Sequence, residues 1–222
     1  MSMTTLLNKH LRRANFICFV FIWYNGQMKP LDLSFEQTDQ IIKFLKAGEV
    51  GVMPTDTIYG IVGSALDPDV VENIYRLRRK TLDKPLIILI SDLNDLNHFN
   101  ILLTEKQRNF LKKNWPNPLS VVLSCPDEKF FYLHRGKKSL AFRMPKDETL
   151  LEILKKVGPL VAPSTNFEGE KPSETIAEAK KYFGDKVSFY CLGGKLISKP
   201  STIIQLLEDG TKVVLREGSF RV

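Results

Sequence analysis

Apolar positions recur along the chain at helical and strand spacings, and these spacings predict the elements. Ile41, Ile42, Phe44 and Leu45 form a helical stripe. Ser34 and Gln37 have the spacing of a capping box, so a helix is expected to begin at Ser34 and to stop at Gly48. Residues 50–53 form a short apolar run ended by Pro54, the pattern of a buried strand with a forced exit. Asp67-Pro68 caps a second helix, with Val70, Val71, Ile74 and Leu77 facing inward. Residues 86–90 read as the next buried strand. Thr104 and Gln107 cap a helix carrying Phe110 and Leu111, which Trp115-Pro116-Asn117-Pro118 breaks.

Strands follow over 119–124 and 140–145, then a helix over 150–157 and a short strand over 160–163 ended by Pro163. A helix capped by Ser173 is expected to run to Gly184. Residues 188–192, 202–206 and 213–216 read as late strands, with Gly193-Gly194 as a turn. Strands and helices alternate irregularly and no linker interrupts 28–222. The pattern predicts a single α/β (α+β mixed) domain, a twisted mixed sheet flanked by helices.

Residues 1–27 stand apart. Lys9, Arg12 and Arg13 precede an apolar run over 16–24, shorter than the ~20 residues a membrane span needs. The arrangement resembles the first two regions of a signal peptide, but Asn25-Gly26-Gln27 is a poor cleavage site. The segment reads as an upstream start or a poorly packed extension, without stable membrane association.

The chain has 222 residues, 43% hydrophobic and 26% charged, a composition that argues against global disorder. Its net charge of +7 favours an anionic partner, but the 28–222 part is only mildly basic. Cys18, Cys125 and Cys191 are far apart, as are His10, His98 and His134. That spacing argues against a structural zinc site and suits a reducing compartment. Each cysteine reads as a small buried hydrophobe.

The candidate chemistry lies where polar residues follow strand ends. Thr55, Asp56 and Thr57 follow one strand, and Ser164, Thr165 and Asn166 another. Arg78, Arg79, Lys80 and Lys84 form a dense cationic segment at a helix end. Hydroxyls facing such cations suit a phosphate-bearing ligand. A turn plus a solvated cationic helix end explains the same residues equally well. Arg143 sits in an apolar run, so its charge must be paired internally or face a cleft.

Taken in order, Pro54 to Gly60, Asp83-Lys84-Pro85-Leu86-Ile87, Trp115-Pro116-Asn117-Pro118-Leu119-Ser120, Ala162-Pro163-Ser164-Thr165-Asn166, Lys171-Pro172-Ser173, Ser201-Thr202-Ile203 and Arg216-Glu217-Gly218 resemble the YrdC-like threonylcarbamoyl-AMP synthases. The resemblance spans essentially all of 28–222 and points to the short, single-domain form. It implies that L-threonine, bicarbonate or CO2, and ATP with Mg2+ are joined into threonylcarbamoyl-AMP with release of pyrophosphate. A downstream tRNA threonylcarbamoyl transferase would take the product, and the location would be cytoplasmic. No metal site on the protein itself is implied.

By position, the resemblance assigns catalysis to Arg78, Lys80, Ser164 and Asn166. Threonine falls to Thr57, Arg143, Ala162 and Ser201. ATP falls to Lys80, Lys84, Ser139, Ser164, Ser173 and Arg216. Arg78-x-Lys80 exchanges the family's Lys-x-Arg, Asn117 replaces a glycine, Ser120 a threonine and Thr165 an alanine. The alternative is a non-catalytic RNA-binding module, with weak tRNA binding as its residue in the first reading. Basic and aromatic residues are not interleaved as such a module's stacking surface requires.

Overall fold

The computed structural model describes residues 23–24, 27–79 and 85–222. Lys80, Lys84 and most of the 1–27 extension lie outside the described residues.

Strands β1 (Trp23–Tyr24) and β2 (Gln27–Met28) pair as an isolated antiparallel hairpin. The domain proper opens with β3 (Leu31–Ser34), helix α1 (Thr38–Lys46), β4 (Gly51–Pro54), β5 (Tyr59–Ser64) and α2 (Pro68–Leu77). Next come β6 (Ile87–Leu89), α3 (Glu105–Asn114), β7 (Leu119–Ser124), the short α4 (Phe131–His134) and β8 (Ser139–Arg143). The chain continues through α5 (Glu148–Val157), β9 (Leu160–Val161), α6 (Ile176–Phe183), β10 (Phe189–Leu192), β11 (Thr202–Leu206) and β12 (Lys212–Arg216).

Ten strands make one twisted mixed sheet in the order β12-β11-β7-β8-β6-β9-β5-β4-β10-β3. The sheet mixes parallel pairs (β3 with β10, β10 with β4, β6 with β8, β7 with β11) with antiparallel ones, the β6-β9-β5-β4 run being antiparallel throughout. Side chains on a strand alternate between faces, and here each face has its own apolar cluster. Met53, Val62, Phe189 and Cys191 pack with Ile41, Phe44, Ile153 and Leu154 of α1 and α5. Val52, Ile61 and Tyr190 point the other way, toward Val70, Ile74, Ala179 and Phe183 of α2 and α6.

The β11-β7-β8 half differs. Leu119, Val121, Leu123, Leu140, Phe142, Ile204 and Leu206 fill the second cluster. The opposite positions, Val122, Ser139, Ala141, Ile203 and Gln205, are only half-buried. No described helix covers that face, and the open half-face carries the site.

Most sequence-based elements are found where the pattern puts them. Asp67 caps α2 with Pro68 behind it, and the Thr104–Gln107 capping box closes both ways. Two expectations are corrected. Ser34 does not begin a helix: it ends β3, and α1 starts at Thr38. Gln37 still reaches back to accept the Ser34 N–H at 2.7 Å, so half the box forms without its helix. Ser173 does not cap α6. Thr175 does, accepting the Glu178 N–H, while the Ser173 hydroxyl donates inward to the Thr165 carbonyl at 2.7 Å. Strand β5 is an addition: Gly60 and Gly63 weaken its sequence signal, yet it pairs with β4 from Pro54↔Tyr59 to Gly51↔Val62.

Candidate active site

The β4–β5 connection is a tight turn. Thr55 donates from its hydroxyl to the Ile58 carbonyl at 2.7 Å and from its N–H at 3.2 Å. This pair of hydrogen bonds to one carbonyl accompanies an inward Thr57, its hydroxyl 3.2 Å from that of Thr55. A second turn lies beside it. The Thr165 N–H and hydroxyl both donate to the Tyr59 carbonyl at 3.2 Å. Ser164 forms a bridge with Gly60. A side chain at Gly60 would crowd the Thr55 methyl, at 3.2 Å, so the glycine lets the two turns meet.

Arg78, the C-terminal cap of α2, reaches into this second turn. Its Nε donates to the Asn166 carbonyl at 3.2 Å, and one Nη donates to the Ser164 hydroxyl at 3.3 Å and the Asn166 side-chain oxygen at 3.2 Å. Burial lowers the Arg78 guanidinium to about 10, opposed by the nearby Glu168 and Tyr75 charges. It therefore stays cationic at neutral pH. Arg78, Ser164 and Asn166 thus form one hydrogen-bonded cluster. Asn166 braces Arg78 and donates to the Phe167 and Glu170 carbonyls, rather than facing the cavity.

Arg143 ends β8 on the open half-face and is buried. One Nη lies 3.1 Å from an Asp56 carboxylate oxygen and donates to the Thr55 hydroxyl at 3.4 Å. The other Asp56 oxygen accepts the Lys146 N–H at 3.1 Å. The Arg143 Nε has no hydrogen-bond partner among the described residues. Burial lowers the Arg143 pKa, Asp56 opposes this, and Arg216 adds to it. The two readings of Arg143 are therefore both met: it is internally paired, and it also lines the cavity.

Ser201 precedes β11 on the same half-face. Its hydroxyl lies 2.8 Å from that of the fully buried Ser120. Arg216 donates to the Ser201 carbonyl at 2.7 Å and less closely to its hydroxyl. Thr57, Arg78, Arg143, Ala162, Ser164, Ser201 and Arg216 line one cavity, with Pro85 and Ile87 as apolar wall. Its volume is about 260 Å³, at the lower edge of the ~300–1,000 Å³ of small-molecule sites. Three arginines meet there; among the described residues Asp56 pairs with Arg143, and Glu168 acts electrostatically on Arg78. With its hydroxyl donors, this lining suits an anion.

Ser139 lies elsewhere. It opens β8, four residues from Arg143 on the same half-face, and borders a second hollow with Lys137, Lys138 and Gln205. Ser173 is buried beneath the Thr165 turn and does not line the cavity. Reading the residues alone did not single out Asp56, Ser120 or Tyr59 as braces. Asp56 stood within the quoted segment. The Ser120–Ser201 contact joins positions 81 apart and has no local signal.

A family model described as Sua5/YciO/YrdC, telomere recombination, matches residues 43–218. The chain belongs to this family. A Bacillus subtilis relative named threonylcarbamoyl-AMP synthase is 32% identical over 202 residues. The match takes in 89% of this chain and 58% of that protein, so the chain spans little more than half of that relative's length. A Methanocaldococcus jannaschii relative is 30% identical over 203 residues, covering 87% of this chain and 93% of its own. Among solved structures, Pyrococcus abyssi Sua5 complexed with L-threonine superposes with a TM-score of 0.75 at 28% identity, over 85% of this chain and 57% of that one. Among the described residues no helix is long and apolar enough to cross a membrane.

Proposed function

We propose that this chain is a threonylcarbamoyl-AMP synthase, acting in the cytoplasm ahead of a tRNA threonylcarbamoyl transferase. The observation that carries the reading is Arg143: a buried guanidinium, anchored by Asp56 on one side and with its Nε unpartnered beside the cavity. Such a donor suits a small carboxylate. Threonine would bind there, between Thr57 and Ser201, with Ala162 against its side. Its amine takes up CO2, loses a proton and becomes a carbamate.

A carbamate oxygen then attacks the α-phosphorus of ATP, and pyrophosphate leaves. The substrate supplies its own nucleophile, so the protein's part is to position, exclude water and offset charge. In this reading Arg78 and Arg216 face the phosphates from the cavity lining, with Lys80 and Lys84 joining them. The cavity is too small for a whole nucleotide, so the adenosine would extend along the open half-face toward Ser139. Magnesium would arrive as MgATP. The described residues hold no cluster of His, Cys, Asp and Glu able to grip a metal.

A purely RNA-binding role would leave the buried Arg143–Asp56 pair and the Arg78–Asn166 cluster unexplained. The test is pyrophosphate release by the purified protein with ATP, magnesium and bicarbonate, with and without L-threonine. Release that needs both threonine and bicarbonate is expected. A folded protein that binds ATP but releases nothing would overturn the reading.

A further inference from the structure

Strands β10 and β11 are consecutive in the chain, yet β4, β5, β9, β6, β8 and β7 lie between them in the sheet. Seven inter-strand spacings amount to roughly 34 Å. The ten Cα steps from Leu192 to Thr202 reach about 33–36 Å when extended. The crossover over residues 193–200 therefore has little slack, and it ends at Pro200 and Ser201 in the cavity wall. Apart from half-buried Leu196, it is exposed.

It is held at three places. At its start, the Gly193 N–H donates to the Tyr59 hydroxyl at 3.0 Å, and that hydroxyl donates to the Gly194 carbonyl at 2.8 Å. A Cβ on Gly193 would meet Pro54 at 2.8 Å and the Tyr59 oxygen at 3.2 Å, so this stretch lies flush on the β4–β5 hairpin. In its middle, the Leu196 N–H donates to the Glu174 carbonyl at 2.9 Å, and Lys195 pairs with the Glu174 carboxylate at 3.6 Å. At its end, the Ser219 N–H donates to the Pro200 carbonyl at 3.0 Å, and Arg216 to that of Ser201.

We propose that the Tyr59 hydroxyl is a positioning group that latches the 193–200 crossover and so holds one wall of the cavity around its ligands. Tyr59 itself is buried and lines the cavity. Its hydroxyl both accepts and donates to the crossover backbone, which phenylalanine cannot reproduce. The Lys195–Glu174 pair is long at 3.6 Å, its lysine solvent-exposed, and holds little by comparison. With the start released, the wall formed by Pro200 and Ser201 would be held only from its own end, by Ser219, Arg216 and Ser120.

The test is Tyr59→Phe in the full chain. Hydrogen exchange without ligand should quicken about 10-fold at Leu196, which does not touch the phenol, while β4 and β5 amides keep their protection. KM for threonine and ATP should rise about 10-fold with kcat within about 2-fold. Gly193→Ala, which keeps the hydroxyl but pushes the crossover off Pro54, should reproduce both changes. Unchanged exchange at Leu196 in both variants overturns the latch. So does faster exchange with unmoved KM. The KM arm rests on the proposed reaction. If the wild-type protein releases no pyrophosphate, that reading fails, and exchange alone decides the latch.

Discussion

Arg143 and Asp56 form an ion pair at 3.1 Å with side chains only 5% and 3% exposed. A pair this deep is costly to desolvate, and breaking it leaves a buried charge. Arg143→Ala should therefore destabilise the fold by about 3–5 kcal/mol. It should also abolish threonine-dependent pyrophosphate release. The double variant Arg143→Met with Asp56→Leu should recover much of the stability, read by urea unfolding, without recovering activity. Recovery of both would remove Arg143 from the substrate site.

Arg78 places a planar fork across Ser164 and Asn166. Lysine keeps the charge but cannot fill the fork. Arg78→Lys should raise KM for ATP about 10-fold, the scale of one or two charge-assisted hydrogen bonds, with a smaller loss of stability. Initial-rate kinetics over a range of ATP concentrations would show it. An unchanged KM would mean that only charge matters at this position.

Alkaline pH should weaken the fold through buried neutral groups. Burial pushes the Cys125 thiol up to about 11, the Cys191 thiol to about 12 and the Tyr132 phenol to about 12. Unfolded thiols ionise near ~8.5 and phenols near ~10. Between these values and the folded ones the native state holds more protons than the unfolded chain, so stability falls as pH rises. The contribution is whole below about 8.5 and is lost through 11 and 12. Urea midpoints should drop steadily above pH ~9. The Cys125→Ala, Cys191→Ala variant should show a flatter fall.

Gly63 of β5 lies under α2 at van der Waals limit. A Cβ there would meet Val70 at 2.5 Å and Ile74 at 3.1 Å. Gly63→Ala should cost about 1–3 kcal/mol by overpacking, with KM values unchanged in what remains folded. Thermal unfolding and kinetics on the same sample separate the two.

What the sequence could determine was short-range. The strands at Leu119–Ser124 and Thr202–Leu206, the Asp67 and Thr104 caps and the stop at Gly48 follow from period and cap chemistry within a few residues. The ordered motifs pointed to the family, because their residues and their order along the chain are themselves properties of the sequence. Even Arg143's ambiguity was legible, since a charge in an apolar run needs some partner. The partner was not legible. Only the tertiary structure decided that Asp56 holds Arg143, that Ser120 backs Ser201, and that Ser173 turns inward instead of capping a helix. It also decided that Ser34 ends a strand, because pairing of β3 with β10 across the fold outweighs a local capping signal. These outcomes depend on which strands become neighbours, and strand neighbours are chosen by burial summed over the whole sheet, which no local pattern encodes.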